Sequence, residues 1–135
     1  MNLNNFELAF VLGRLLLGVN FLMHGLVRIP KLAVFRAGIL KEFAPSPLPE
    51  PLVSLFATTL PFAEAGIGLL LVLGLLTRPV LVAAMLVITS LVFGSCLLEK
   101  WTIVGDQMVY GLYILTLILH LQRNRLCLDR VPPSA

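Results

Sequence analysis

Four stretches of this 135-residue chain, residues 6–27, 52–76, 79–98 and 103–122, are each about as long as a bilayer is thick and nearly free of charge. The hydrocarbon core of a membrane is roughly 30 Å across, and a helix rising 1.5 Å per residue needs about 20 residues to cross it. In lipid every backbone N–H and C=O must find its partner inside the protein, so runs of this length and composition form helices. Only 13% of the chain is charged and 59% is hydrophobic, against roughly 25% charged in a soluble domain. The sequence therefore predicts an all-α fold, an integral membrane four-helix bundle.

The links between the runs set the topology. Thr77-Arg78 is the whole turn between the second and third spans, and Pro79 suits the first position of the next helix. So short a turn makes those helices antiparallel neighbours, and an up-down order places both termini on one face. Residues 28–51 form a longer connection with prolines at 30, 45, 47, 49 and 51. Within it, residues 31–43 carry Leu32, Phe35, Ile39, Leu40 and Phe43 at helical spacing, which predicts a short interfacial helix whose lysines reach toward headgroups. The Pro45–Pro49 tract is expected to run extended. Trp101, between the third and fourth spans, is expected to anchor at the membrane interface. The first span lacks a basic lead and a cleavage pattern, so it is expected to be retained, and residues 1–135 are expected to make one transmembrane domain.

Glu64 stands in the middle of an otherwise uncharged 25-residue run, residues 52–76. A carboxylate at that depth costs about 3 kcal/mol on insertion scales unless it is paired or protonated. Arg14 lies inside the first span, at a comparable depth if both are counted from the terminal face, so an intramembrane ion pair Arg14–Glu64 is expected. Arg14 shares a helix face with Gly18, Phe21 and Gly25, and Glu64 shares one with Ala57, Pro61 and Gly68; small residues on such stripes let helices approach closely. Pro61 is expected to kink its helix and to free a carbonyl near the carboxylate. The pair either fixes helix register or lines a cavity in which Glu64 relays protons.

A second polar group gathers toward the opposite face, where His24, Asp106, Gln107 and Tyr110 fall at similar depth. His24 either packs at the interface or joins Gln107 and Tyr110 in holding a quinone carbonyl, which needs hydrogen-bond donors and a nearby proton source. His24 and His120 are separated by roughly 20 Å of helix rise, too far to clamp one haem. Cys96 and Cys127 fall toward opposite ends of the bundle, beyond the ~7 Å that a disulfide allows. No metal motif, glycine-rich nucleotide fingerprint or nucleophile elbow is present, so no intrinsic redox cofactor is expected. The net charge of +3 is scattered, which argues against nucleic acid as a partner. Arg123, Arg125 and Arg130 beside the last span point the termini toward the cytoplasm.

Gly13-Arg14-Leu15-Leu16-Leu17-Gly18, followed by His24-Gly25-Leu26-Val27-Arg28, resembles the opening helix of the DoxX family. Glu64-Ala65-Gly66-Ile67-Gly68 and Gly74-Leu75-Leu76-Thr77-Arg78 are similar to that family's second helix and tight turn, and Leu126-Cys127-Leu128-Asp129 to its ending. Arg28 stands where the family often has Lys, and the proline-rich connection is longer than the common pattern. The resemblance implies a multi-pass protein of a bacterial or archaeal inner membrane, related to the membrane subunit of thiosulfate:quinone oxidoreductase. Two function classes remain. One is a quinone-binding, redox-associated subunit working with an electron-donating partner. The other is a non-catalytic accessory or assembly subunit of a larger membrane complex, and on either reading a homo- or hetero-oligomer is open. A solute carrier is a weaker third reading, since the chain has no repeats or broken helices.

Overall fold

A computed structural model of the protein describes residues 3–129. The described residues form five α-helices and no strand: α1 (Asn5–Arg28), α2 (Leu32–Phe43), α3 (Glu50–Leu73), α4 (Thr77–Leu97) and α5 (Trp101–Leu119). All but α2 are long and apolar enough to cross a membrane. The chain is a multi-pass membrane protein, and the all-α helical bundle expected from the sequence is the fold observed.

Local chemistry explains where each helix begins and ends. Asn4 caps α1: its side chain accepts from the Glu7 N–H at 2.9 Å, and the Glu7 carboxylate accepts from the Asn4 N–H at 3.1 Å. A 3₁₀ turn, Ile29–Lys31, carries α1 into α2, with Pro30 where a helix start tolerates it. Glu50 and Pro51, expected in the connection before the second span, instead make the first turn of α3, where the missing proline N–H is no loss. Helix α3 runs unbroken through Pro61 and closes on Gly74, whose φ of 64° is the left-handed conformation that glycine adopts without strain. The turn to α4 is thus residues 74–76, and Pro79 falls in the third position of α4 rather than the first. Trp101 opens α5 instead of lying in the link before it.

The small-residue faces foreseen on the first and second spans meet. A Cβ at Gly18 would press on the Val72 backbone, one at Gly25 on Pro61 and Ala65, and one at Gly68 on the Leu22 backbone. Helices α1 and α3 therefore touch backbone to backbone, and this fixes their antiparallel register. The apolar core lies beside that seam, with Leu17 and Phe21 of α1, Ile67 and Leu71 of α3, Leu81 and Ile88 of α4, and Ile114 and Leu117 of α5. Helices α4 and α5 form the second tight pair, whereas α1 and α5 touch sparsely.

The bundle's two ends are built differently. At the terminal end, residues 124–129 fold back over the helices: Asp129 N–H donates to the Gly74 carbonyl at 3.0 Å, and Arg125 pairs with Glu7 at 3.0 Å. Both described termini thus share one face; Arg130, counted in the basic cluster there, lies outside the described residues. At the other end α2 crosses beneath the bundle. Glu42 forms a salt bridge with Lys100 in the α4–α5 link, and Phe43 packs on Gly94. The half-buried apolar side chains of α2 are Leu32, Phe35, Ile39, Leu40 and Phe43, the stripe foreseen, but this stripe faces protein rather than lipid headgroups alone.

Candidate functional site

The polar residues at the far end converge on one cavity of about 310 Å³. Helix α1 contributes Asn20, His24 and Arg28, α3 contributes Glu64, and α5 contributes Asp106, Gln107 and Tyr110. Apolar walls complete it: Phe21, Leu60, Ile88, Leu91 and Ile103 from the spans, with Phe35 and Ile39 of α2 closing it from below. His24, Arg28, Glu64 and Asp106 gathered at the end of a membrane-spanning bundle are an arrangement that membrane proteins keep for function more often than for packing.

Glu64 is 5% exposed and is bound by Arg28, whose Nη1 donates to Oε2 at 2.6 Å. This corrects the expected Arg14–Glu64 pair. The glycine contacts place Gly18 beside Val72 and Gly25 beside Ala65, so Glu64 is level with the last turns of α1. Arg14 is level with the end of α3, roughly 18 Å of helix rise away. Counting depth from span ends misplaced the two helices, because α1 starts farther out than the end of α3 with which it was matched. The guanidinium of Arg28 also lies over the Phe35 ring, 5.0 Å from its centroid, so one cation ties the carboxylate to the α2 cover.

Arg14 is instead 1% exposed beneath the carboxyl-terminal segment, where Nη2 donates to the Leu126 carbonyl at 2.9 Å. It packs against Gly74 at the carboxyl end of α3, where the helix dipole is negative and the last carbonyls lack helical donors. It does not reach the cavity. Asp129, outside the spans, is partly desolvated, which by itself would raise its pKa. Hydrogen bonds from Thr77 and from the Leu76 N–H, with the charge of Arg14, outweigh this and hold its carboxyl below the ordinary value.

The three residues expected around a quinone, His24, Gln107 and Tyr110, all line the cavity with Glu64. The His24 Nδ1 sits 2.8 Å from the Asn20 carbonyl, which can only accept. The hydrogen is therefore on Nδ1, and Nε2 is the free end of the ring. Tyr110 Oη accepts from Asn20 Nδ2 at 3.1 Å, which leaves the phenolic hydrogen available as a donor. The Gln107 amide is oriented by Ser95, with Nε2 3.0 Å from its Oγ. The cavity thus offers donors at Tyr110 and Arg28, the Nε2 edge of the His24 ring, and the acidic side chains of Glu64 and Asp106.

Arg28, Asn20, Phe35 and Ile39 were not foreseen as site residues. Arg28 had a legible signal: it continues the stripe of Arg14, Gly18, Phe21 and Gly25, each step three or four residues on. Asn20 had none beyond being a polar residue in a span. Phe35 and Ile39 were seen as apolar, and what they would cover was not encoded in their spacing.

No curated protein and no solved structure matches the chain. The DoxX family model matches residues 9–97, which takes in nearly all of α1 to α4, including the α1–α3 seam and the Arg28–Glu64 pair. On that match the chain belongs to the DoxX family.

Proposed function

We propose that this protein is a quinone-interacting membrane subunit of a redox system, receiving electrons from a partner that carries its own redox centre. The observation that carries the reading is the meeting of Arg28, Glu64, His24, Gln107 and Tyr110 in one cavity with apolar walls. Its volume of about 310 Å³ falls at the lower end of the roughly 300–1,000 Å³ range of small-molecule sites, enough for a ring-sized head. Quinone reduction takes up two electrons and two protons, and the carbonyl oxygens need donors as charge develops on them. Phe21 and Phe35 lie among the apolar side chains that would sandwich a planar ring. The free hydrogen of Tyr110 donates to one oxygen, and Glu64, held by Arg28, relays protons from the α2 side. The chain supplies site and protons; electrons come from outside it.

The proposed location is the cytoplasmic membrane of a bacterium or archaeon, with the termini in the cytoplasm. A second reading has one observation in its favour: Arg28 joins Glu64 to Phe35, so the ion pair also holds α2 in place. On that reading the chain is a non-catalytic accessory or assembly subunit and the cavity has no ligand. Glu64→Gln separates the two, since it keeps the shape and a hydrogen bond to Arg28 while removing the titrating group. Expression and assembly are expected to persist in this variant while quinone-coupled turnover is lost. Normal turnover in Glu64→Gln sinks the relay. His24→Ala is expected to weaken quinone retention in purified protein more than it lowers Tm.

A further inference from the structure

A second cavity, about 270 Å³, opens between α1 and α5. Its walls are Leu16, Leu17, Val109 and Tyr113, together with Asn20 and Tyr110. Those last two also line the polar cavity, and no other residue lines both. The crevice holds no ionisable group other than the tyrosine phenols, and Leu16 and Val109 on its rim are each 66% exposed on the membrane-facing flank of the spans. Helices α1 and α5 touch sparsely and are bridged at two points: Tyr113 Oη donates to the Gly13 carbonyl at 3.0 Å, and Asn20 Nδ2 donates to Tyr110 Oη at 3.1 Å. The crevice lies between these bridges, closed by Tyr113 toward the terminal end and by Asn20–Tyr110 toward the polar cavity.

We propose that the α1–α5 crevice is a lateral portal and chain groove for an amphiphile whose head occupies the polar cavity, with the Asn20–Tyr110 hydrogen bond as its gate. This rests on the quinone reading and extends it to a quinone carrying an isoprenoid chain, taken up from the bilayer rather than from water. The two cavities meet at one shared wall, one lined by His24, Arg28, Glu64 and Asp106, the other apolar and opening toward lipid. That is the shape of a polar head on an apolar chain. A ligand dissolved in the membrane reaches a site at this depth sideways without passing its chain through water. The gate is one neutral hydrogen bond, and both of its side chains can re-pair with the oxygens of an arriving head. With the chain lying over Leu16 and Val109, the head meets Tyr110 first and Glu64 beyond it.

Val109→Trp and the milder Leu16→Phe fill the crevice and replace none of the polar residues. Each is compared with wild type in lipid nanodiscs for equilibrium binding of a prenylated quinone and of the same ring without a chain, with Tm measured alongside. The expected result is a loss of about tenfold or more in prenylated-quinone affinity, with the chain-free ring bound within about twofold of wild type. Unchanged binding of both quinones overturns the portal while leaving the headgroup site standing. An equal loss of both also overturns it, since that marks a general packing effect. Wild-type protein that binds neither quinone, or retains only phospholipid in the crevice, overturns the portal together with the quinone reading.

Discussion

A carboxylate in a membrane span needs a proton or a cation, and Glu64 has the cation: Arg28, 2.6 Å away and itself half-buried against Phe35. Arg28 is the last residue of α1, so the pair's cation is partly open to water while its anion is not. Residues in direct contact couple by about 0.5–3 kcal/mol in a double-mutant cycle, whereas distant ones add within about 0.5 kcal/mol. A cycle built on Arg28→Leu and Glu64→Gln, followed by unfolding in detergent, is expected to give a coupling of about 1–3 kcal/mol. The same cycle with Arg14→Leu is expected to give none, and a sizeable Arg14–Glu64 coupling would refute the register described here. The sequence made Glu64 conspicuous and named a cation in α1, but the identity of that cation depended on helix offset. Offset is set by Gly18, Gly25 and Gly68 pressing on the opposite backbone. Those glycines were legible as a close-approach face; which turn of α1 each meets was not, since a small-residue stripe fits its partner at several registers.

Helix α4 has no cap of its own. Leu76, in the N-cap position, has a φ of 53° and no side-chain acceptor, so the first N–H groups of the helix need a partner from elsewhere. Asp129 supplies it from 52 residues away: its carboxylate accepts from the Leu76 N–H and, at 2.8 Å, from the Thr77 N–H. Asp129→Ala is expected to lower stability by about 1–2 kcal/mol, read as a fall in Tm. The pH dependence follows from the sign of the shift. Because the folded carboxyl lies below its ordinary value, its contribution is present above about pH 4 and is lost as pH falls through the folded value. Amide protection at Leu76 and Thr77 is thus expected to drop in acid in wild type, and to be flat across the same range in Asp129→Asn. The α1–α3 seam gives a separate test. A methyl at Gly68 meets the Leu22 backbone, which cannot rotate away, so Gly68→Ala is expected to destabilise by about 1–3 kcal/mol. Gly66, with open space around it, is expected to accept alanine with little change.

The two ends of the bundle do different jobs. One is closed by residues 124–129 over the buried Arg14; the other holds the polar cavity, covered by α2. The four spans were legible because their length and hydropathy are dictated by the bilayer. The position of α2 was not, because an apolar stripe reads the same whether it faces acyl chains or the bundle. Three contacts now place it: Arg28 over Phe35, Phe43 on Gly94, and the Glu42–Lys100 salt bridge. A ligand has two ways into the cavity, beneath α2 from the aqueous side or through the α1–α5 crevice, and these differ in what must move. The first must pass Phe35 and Ile39 of α2, the second the Asn20–Tyr110 bridge. Fixing α2 therefore discriminates between them. In a Cys96→Ser, Cys127→Ser background, Glu42→Cys and Lys100→Cys can be joined by a short bis-maleimide cross-linker. If the lateral route operates, exchange of prenylated quinone in nanodiscs is expected to proceed within about twofold of the uncross-linked rate, while Tm rises. Exchange that stops on cross-linking and resumes when a cleavable linker is cut would instead make α2 the door.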